Sequence, residues 1–346
     1  MSGNGHRGAA EPDWWIYSGA GPGAGAGAGA EWPAPPPWRD FPGAPDLPPP
    51  PDEPEEAERR LGRAATVRPK RDQLDTINAA LLLRRPLLVT GNPGVGKSSL
   101  AYQLARDLGL GRVLHWSITS RSTLRSGLYD YDAIGRAQAA ADTPADAGGA
   151  TALIGDFIHL GPLGTALLPY ARPRVLLIDE LDKSDIDLPN DLLNAFENAD
   201  YTVPELIRLR GRHETVEVHT ADPGRRATIR GGVVQCHAFP VVVITSNGER
   251  DFPAPFLRRC LRLDLPDLDE SGLADLINAH LSTADERVRQ LIGAFVQRRG
   301  EHGTIAADQL LNAAFLTAAG VDGQTTEDDW NRLLDTVWRS LAPGRP

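Results

Sequence analysis

Gly91-Asn92-Pro93-Gly94-Val95-Gly96-Lys97-Ser98 fits the pattern GxxxxGK followed by Ser or Thr. Pro86-Leu87-Leu88-Val89-Thr90 precedes it, an apolar run of the length of one buried strand. From Lys97 to Leu108 follows a segment with Leu100, Leu104 and Leu108 at helical spacing. A strand, a glycine loop and a helix in that order make a phosphate cradle. Gly91, Gly94 and Gly96 let the backbone turn its N–H groups inward, and the helix start adds a favourable dipole. Lys97 suits the outer phosphates of a nucleotide such as ATP, and Ser98 suits a magnesium ion. Asn92, Pro93, Val95 and Ser99 complete the stretch expected to wrap the nucleotide.

Downstream, Val175-Leu176-Leu177-Ile178 reads as a second buried strand that delivers Asp179 and Glu180 at its C-terminal end, where open α/β sheets bind ligands. Asp179 is placed to hold magnesium and Glu180 to orient or deprotonate an attacking water. A third strand, Val241 to Thr245, runs into Ser246 and Asn247, whose amide can help place that water. Phe256-Leu257-Arg258-Arg259-Cys260 offers an arginine just before a fourth strand, Leu261 to Leu265. An arginine so far in sequence from its own glycine loop suits a finger presented to a neighbouring subunit's nucleotide. Short apolar strands alternating with helices imply an α/β fold: a parallel sheet with helices on both faces.

With these motifs in this order, the chain resembles the AAA+ ATPases over roughly residues 66–320, and within them the MoxR group. Asp179-Glu180-Leu181-Asp182-Lys183-Ser184 resembles that group's acidic motif. Leu160-Gly161-Pro162-Leu163 resembles the element closing an insertion before the acidic strand, and Leu192-Leu193-Asn194-Ala195-Phe196-Glu197 the start of a second insertion. The resemblance favours Arg259 over Arg258 as the finger and Asn247 as sensor one. It implies a P-loop NTPase core with a small all-helical lid, and a homo-oligomeric ring, typically hexameric. It also implies ATP hydrolysis with Mg2+ that remodels or activates a protein partner, often one carrying a von Willebrand A domain. One position departs from the pattern: Asp308 or Gln309 stands where a sensor-two arginine is usual. Two other readings stay open, a McrB-like motor of a nucleic-acid defence system and a nucleotide-gated scaffold with little turnover.

Three regions follow from composition. Residues 1–63 hold a Gly/Ala alternation from Gly21 to Ala30 and proline runs at 33–37 and 48–51, and are expected to be disordered. Trp14, Trp15, Trp32 and Trp38 within them are either a docking segment or an idle apolar tail. Residues 64–266 form the nucleotide-binding core, with insertions at about 129–170 and 200–238; the second, with its Asp222-Pro223-Gly224 turn, reads as a projecting hairpin. Residues 267–346 carry only helical periodicity, from Leu273 to Leu281, Glu286 to Gln297, Ala306 to Ala319 and Glu327 to Leu341.

A net charge of −10 argues against a broad nucleic-acid surface. The two cysteines, Cys236 and Cys260, form no CxxC pair, which argues against a zinc site or disulfide framework and for a reducing compartment. With no leader-like N-terminus and no apolar run long enough for a membrane span, the expected location is cytoplasmic.

Overall fold

The computed structural model describes residues 11–22, 32–63, 68–142, 154–281, 286–302 and 305–338. The N-terminal segment ends in α1 (Pro54–Leu61), and the core follows with α2 (Arg71–Leu83), β1 (Leu87–Thr90), α3 (Ser99–Asp107) and β2 (Leu114–Ser117). A first insertion supplies α4 (Leu124–Leu128), β3 (Tyr129–Tyr131), α5 (Ala133–Asp142), β4 (Ile158–Leu160) and α6 (Pro162–Ala166). The acidic strand β5 (Val175–Asp179) and α7 (Leu188–Asn198) return to the core. A second insertion carries β6 (Asp200–Thr202), α8 (Pro204–Ile207), β7 (Thr215–His219), β8 (Arg226–Arg230) and β9 (Val233–Gln235). The core closes with β10 (Val241–Ser246), α9 (Ala254–Leu257) and β11 (Leu261–Asp264). Four helices follow: α10 (Glu270–Leu281), α11 (Glu286–His302), α12 (Ala307–Ala318) and α13 (Glu327–Val337).

Among the described residues the strands form two sheets. The first has the order β11-β1-β10-β5-β2 and all its pairings are parallel, with β11 at one edge as the alternation of Leu261 to Leu265 implies. Val175, Leu176, Leu177 and Ile178 are fully buried because helices cover both faces. Thr90 lies opposite Ser246, and Ser117 opposite Asp179, so the motif-bearing strand ends meet along one edge.

The second sheet, β3-β4-β7-β8-β9-β6, is assembled from both insertions. The expected projecting hairpin is therefore part of a larger body. β7 and β8 do form an antiparallel hairpin, but β7 also joins β4 of the first insertion at the single pair His159 and His219. The hairpin's turn is not free either. Asp222 lies buried beside Arg174, which donates from Nη1 and Nη2 to its two carboxylate oxygens at 2.7 and 2.8 Å. Both side chains are within 1% of full burial, and Arg174 immediately precedes β5.

The expectation of a disordered tail over 1–63 is corrected for the residues described. The Gly/Ala run over 23–31 lies outside them. Trp15, Ile16 and Tyr17 are buried against α2, where Asn78 Oδ1 accepts from the Ile16 and Tyr17 amides at 2.7 and 2.8 Å. The Trp15 indole donates to Asp75 at 3.0 Å. Farther on, Arg39 is buried and donates to the Phe196 carbonyl, the Gly43 amide donates to Cys236 O at 2.9 Å, and the Arg112 amide to Pro51 O at 2.8 Å. The segment is a strap across the core. Its aromatics bury enough apolar area to offset the ordering of a polar, proline-rich chain. Trp15 and Trp32 thus dock on this chain's own core, while Trp14 and Trp38 stay exposed.

The four C-terminal helices enclose a separate small core built on Leu273, Ile277, Phe295, Leu310 and Trp338. They form the expected all-helical subdomain. No described helix is long and apolar enough to cross a membrane.

Candidate functional site

The glycine loop leaves β1 and enters α3 as its sequence requires. Gly91, Gly94 and Gly96 adopt φ of 145°, 83° and 92°, a region open to glycine at little cost. Lys97 folds back inside the loop, its Nζ donating to the carbonyls of Gly91 at 2.7 Å and Asn92 at 2.8 Å. Burial holds its ammonium below the ordinary lysine value, while the carboxylates of Asp182, Asp179 and Glu180 oppose that shift.

Asp179 is the hub of the site. Ser98 Oγ donates to its Oδ1 at 2.6 Å and Thr245 Oγ1 donates to the same oxygen at 2.7 Å. His115 Nε2 lies 3.2 Å from its Oδ2. Burial alone pushes this carboxyl up, but the hydrogen bonds from His115, Ser98 and Thr245 outweigh it and bring the value to about 2. Asp179 is thus ionised throughout the physiological range. Ser98 and Asp179 together present a hydroxyl and a carboxylate, hard oxygen donors of the kind magnesium takes. Among the described residues no group of three or more His, Cys, Asp or Glu side chains is placed to hold a metal. The donor set therefore fits an ion shared with nucleotide phosphates and not one caged by protein alone.

Glu180 sits at φ 60°, ψ 50°, the left-handed region that costs a non-glycine residue about 1 kcal/mol or more. Its amide donates to Thr245 Oγ1 at 2.8 Å, which fixes the turn. The carboxylate is held between Lys183 Nζ at 2.6 Å and Asn247 Nδ2 at 3.4 Å. Asn247 is itself located by Asp182, whose Oδ2 accepts from the amides of Asn247 at 2.9 Å and Glu249 at 3.1 Å. The other oxygen of Asp182 is buried with no hydrogen-bond partner among the described residues.

Ser98, Asp179, Glu180 and Asn247 are therefore brought together around the glycine loop. Arg259 is not. It lies just before β11, whose first residue pairs with Leu87 and whose last pairs with Thr90. Arg259 accordingly sits at the opposite edge of the sheet, roughly 10 Å or more from its own glycine loop by strand length. There it pairs with Glu197 of α7, and its carbonyl accepts from Arg85 Nε at 3.1 Å.

Sequence reading passed over His115, Thr245 and Asp182. Thr245 follows from the register: β10 and β5 are adjacent and parallel with Ile244 opposite Ile178, so Thr245 falls beside Asp179. His115 alternates with buried Leu114 and Trp116 on β2, which marks it only as one face of a strand.

The lid meets the loop directly. A Cβ placed on Gly94 would lie 2.6 Å from the Ala307 amide nitrogen and 3.0 Å from Ala306 Cβ. The first turn of α12 thus rests on the glycine loop, and it carries Ala306, Ala307 and an exposed Asp308 there.

The model of the AAA domain, dynein-related subfamily, matches residues 86–259, half of the chain. The chain belongs to this AAA family. Its glycine loop and acidic strand lie inside the matched span, so the P-loop nucleotide-binding fold is that of an AAA domain with a helical subdomain behind it. A crystal structure of NtrX from Brucella abortus in complex with ADP matches 70% of this chain and 47% of its own, at 14% identity and a TM-score of 0.35. The match thus spans less than half of that protein's length. A comparison with curated proteins finds no match.

Proposed function

We propose that this AAA protein binds ATP with Mg2+ and hydrolyses it as a MoxR-like ring, using the energy to remodel or activate a protein partner. The observation that carries the hydrolytic reading is the convergence of Ser98, Asp179, Glu180 and Asn247 at the strand edge beside the glycine loop. In this reading Lys97 exchanges its two loop carbonyls for the outer phosphates. Ser98 and Asp179 would hold the magnesium ion, which neutralises charge on the phosphoryl oxygens when bound. Glu180 accepts the proton of the attacking water, and Asn247 orients that water while steadying Glu180. Arg259, remote from its own loop and half-exposed, is offered to the next subunit's nucleotide. Its present pair with Glu197 lies at the surface and is weak enough to exchange.

The MoxR-like reading is supported by the two insertions flanking the acidic strand. The insertions bear apolar groups that face solvent: Ile207 of α8 and Val233 of β9 in the second, and Ile134 of α5 in the first. Such groups suit a protein client, of which a von Willebrand A domain is the type this resemblance suggests. The free, buried Cys236 and Cys260 suit a reducing, cytoplasmic setting.

The deciding experiment is Glu180→Gln. The variant should bind ATP with near wild-type affinity and hydrolyse it at least ~10²-fold more slowly. Turnover at the wild-type rate would remove Glu180 from catalysis. A second reading, a nucleotide-gated scaffold, is favoured by one observation: the α12 turn resting on the loop carries no arginine. Single-turnover hydrolysis by the assembled protein separates the two.

A further inference from the structure

Beside the glycine loop, on the flank away from Asp179 and Glu180, opens a cavity of about 430 Å³. Its walls include Gly94 and Gly96 of the loop, Gln73 of α2, Leu276 and His280 of α10, and Arg60 of α1. If the loop takes the phosphates, this space is where the nucleoside goes. Three of these walls belong to the core and lid, but α1 belongs to the strap.

We propose that Arg60 is a nucleotide-positioning residue that closes the nucleoside end of the site, so that residues 54–63 are part of the nucleotide pocket. The proposal rests on the ATP-binding reading given above. Arg60 is already oriented. Its Nε donates to Glu56 Oε1 at 2.9 Å, and its guanidinium carbon lies 5.5 Å from the ring centroid of Tyr102 on α3. The side chain nevertheless keeps 36% exposure at the cavity wall, leaving a planar face and further N–H donors for a ligand. A guanidinium held this way can stack on a base or donate to ribose oxygens, which an ammonium cannot do equally well.

The position of α1 is fixed from both sides. Leu61 is buried in the core that also holds Leu100 and Leu104 of α3. Directly after it Gly62 turns the chain at φ 77°, and a Cβ there would stand 2.4 Å from the Ala279 carbonyl of α10. The Arg63 amide donates to that same carbonyl at 2.8 Å. α1 is thereby wedged between the helix that leaves the glycine loop and the first helix of the lid. A strap that only shielded apolar surface would not need this seat.

The test uses the full chain and two probes with magnesium, ATP and inorganic tripolyphosphate, followed by calorimetry. Arg60→Ala should weaken ATP by about tenfold, leave tripolyphosphate unchanged and keep the wild-type melting temperature. Arg60→Lys should recover only part of the ATP affinity. Wild-type ATP affinity in Arg60→Ala would overturn the proposal. So would an equal loss for both probes, which would mark Arg60 as a structural prop. Lys97→Ala should lose both probes; if it instead binds ATP like the wild type, the glycine-loop reading fails, and this proposal with it.

Discussion

The two sheets of this protein are built on opposite plans. The parallel sheet is drawn from strands that alternate with helices along the chain, is covered on both faces, and brings its chemistry to one edge. The inserted sheet is mostly antiparallel, draws on two distant segments, and joins them through one residue pair, His159 with His219. On β7 the inward positions include the fully buried Val218, but Val216 is only half-buried. The first sheet has the density of a scaffold that must hold carboxylates to a fraction of an ångström. The second has a more open face and a seam of a single residue pair. They share one apolar cluster, and the buried Arg174–Asp222 pair adds a polar tie between them.

That tie gives the largest expected effect. Arg174→Ala removes both hydrogen bonds to the buried Asp222 carboxylate and leaves it only the longer contact with Arg112 at 3.6 Å, and should cost about 3–5 kcal/mol, read as a lowered denaturation midpoint. Replacing both partners with apolar residues of similar volume should recover most of the loss. If Arg174→Ala unfolds like the wild type, the two sheets are not coupled through this pair. Next comes a matched pair of truncations. Leu177→Ala in the parallel sheet should cost about 2–5 kcal/mol. Val216→Ala in the inserted sheet should cost about 1 kcal/mol or less, because its side chain is only partly buried. Equal costs would erase the contrast drawn above.

The smallest effect concerns the seam. The His159 and His219 rings stack with centroids 4.6 Å apart. His219 is held below its ordinary value of 6.5, first by burial and then by Arg226 and His159, with Asp156 opposing. The folded state therefore binds the His219 proton less readily than the unfolded chain does. Its contribution to stability is present above pH 6.5 and is lost as the pH falls through the lower folded value. Amide exchange in β4 and β7 should rise over that window while exchange in β5 does not, and His219→Gln should flatten the response. A pH response of equal size in β5 would place its origin elsewhere.

The parallel sheet and most of its site were legible in the sequence for a physical reason. A strand buried on both faces reads as an unbroken apolar run, and the polar residue that ends it stands at the ligand edge; Asp179, Glu180 and Asn247 all follow this rule. The inserted sheet was legible only in pieces. Alternation marked Glu214 to His219 as a strand, but nothing in a three-residue stretch such as Ile158-His159-Leu160 names its partner some 60 residues away. The strap was missed because composition averages over residues. Its prolines and glycines outnumber its aromatics, yet Trp15, Ile16 and Tyr17 anchor its start. The clue lay in α2, where Asn78 interrupts the apolar face formed by Leu74, Ile77 and Leu81: a buried amide in a helix needs backbone partners from outside it.

The contact between Gly94 and the Ala306-Ala307 turn has a consequence for observing the protein at work. The start of α12 lies so close to the loop that a side chain on Gly94 would run into the Ala307 amide, so no long side chain stands between the two. The Ala307 amide is thus a built-in reporter. Its resonance in an isotope-labelled sample would register any ligand that moves the glycine loop, from a single nucleus and with no dye attached.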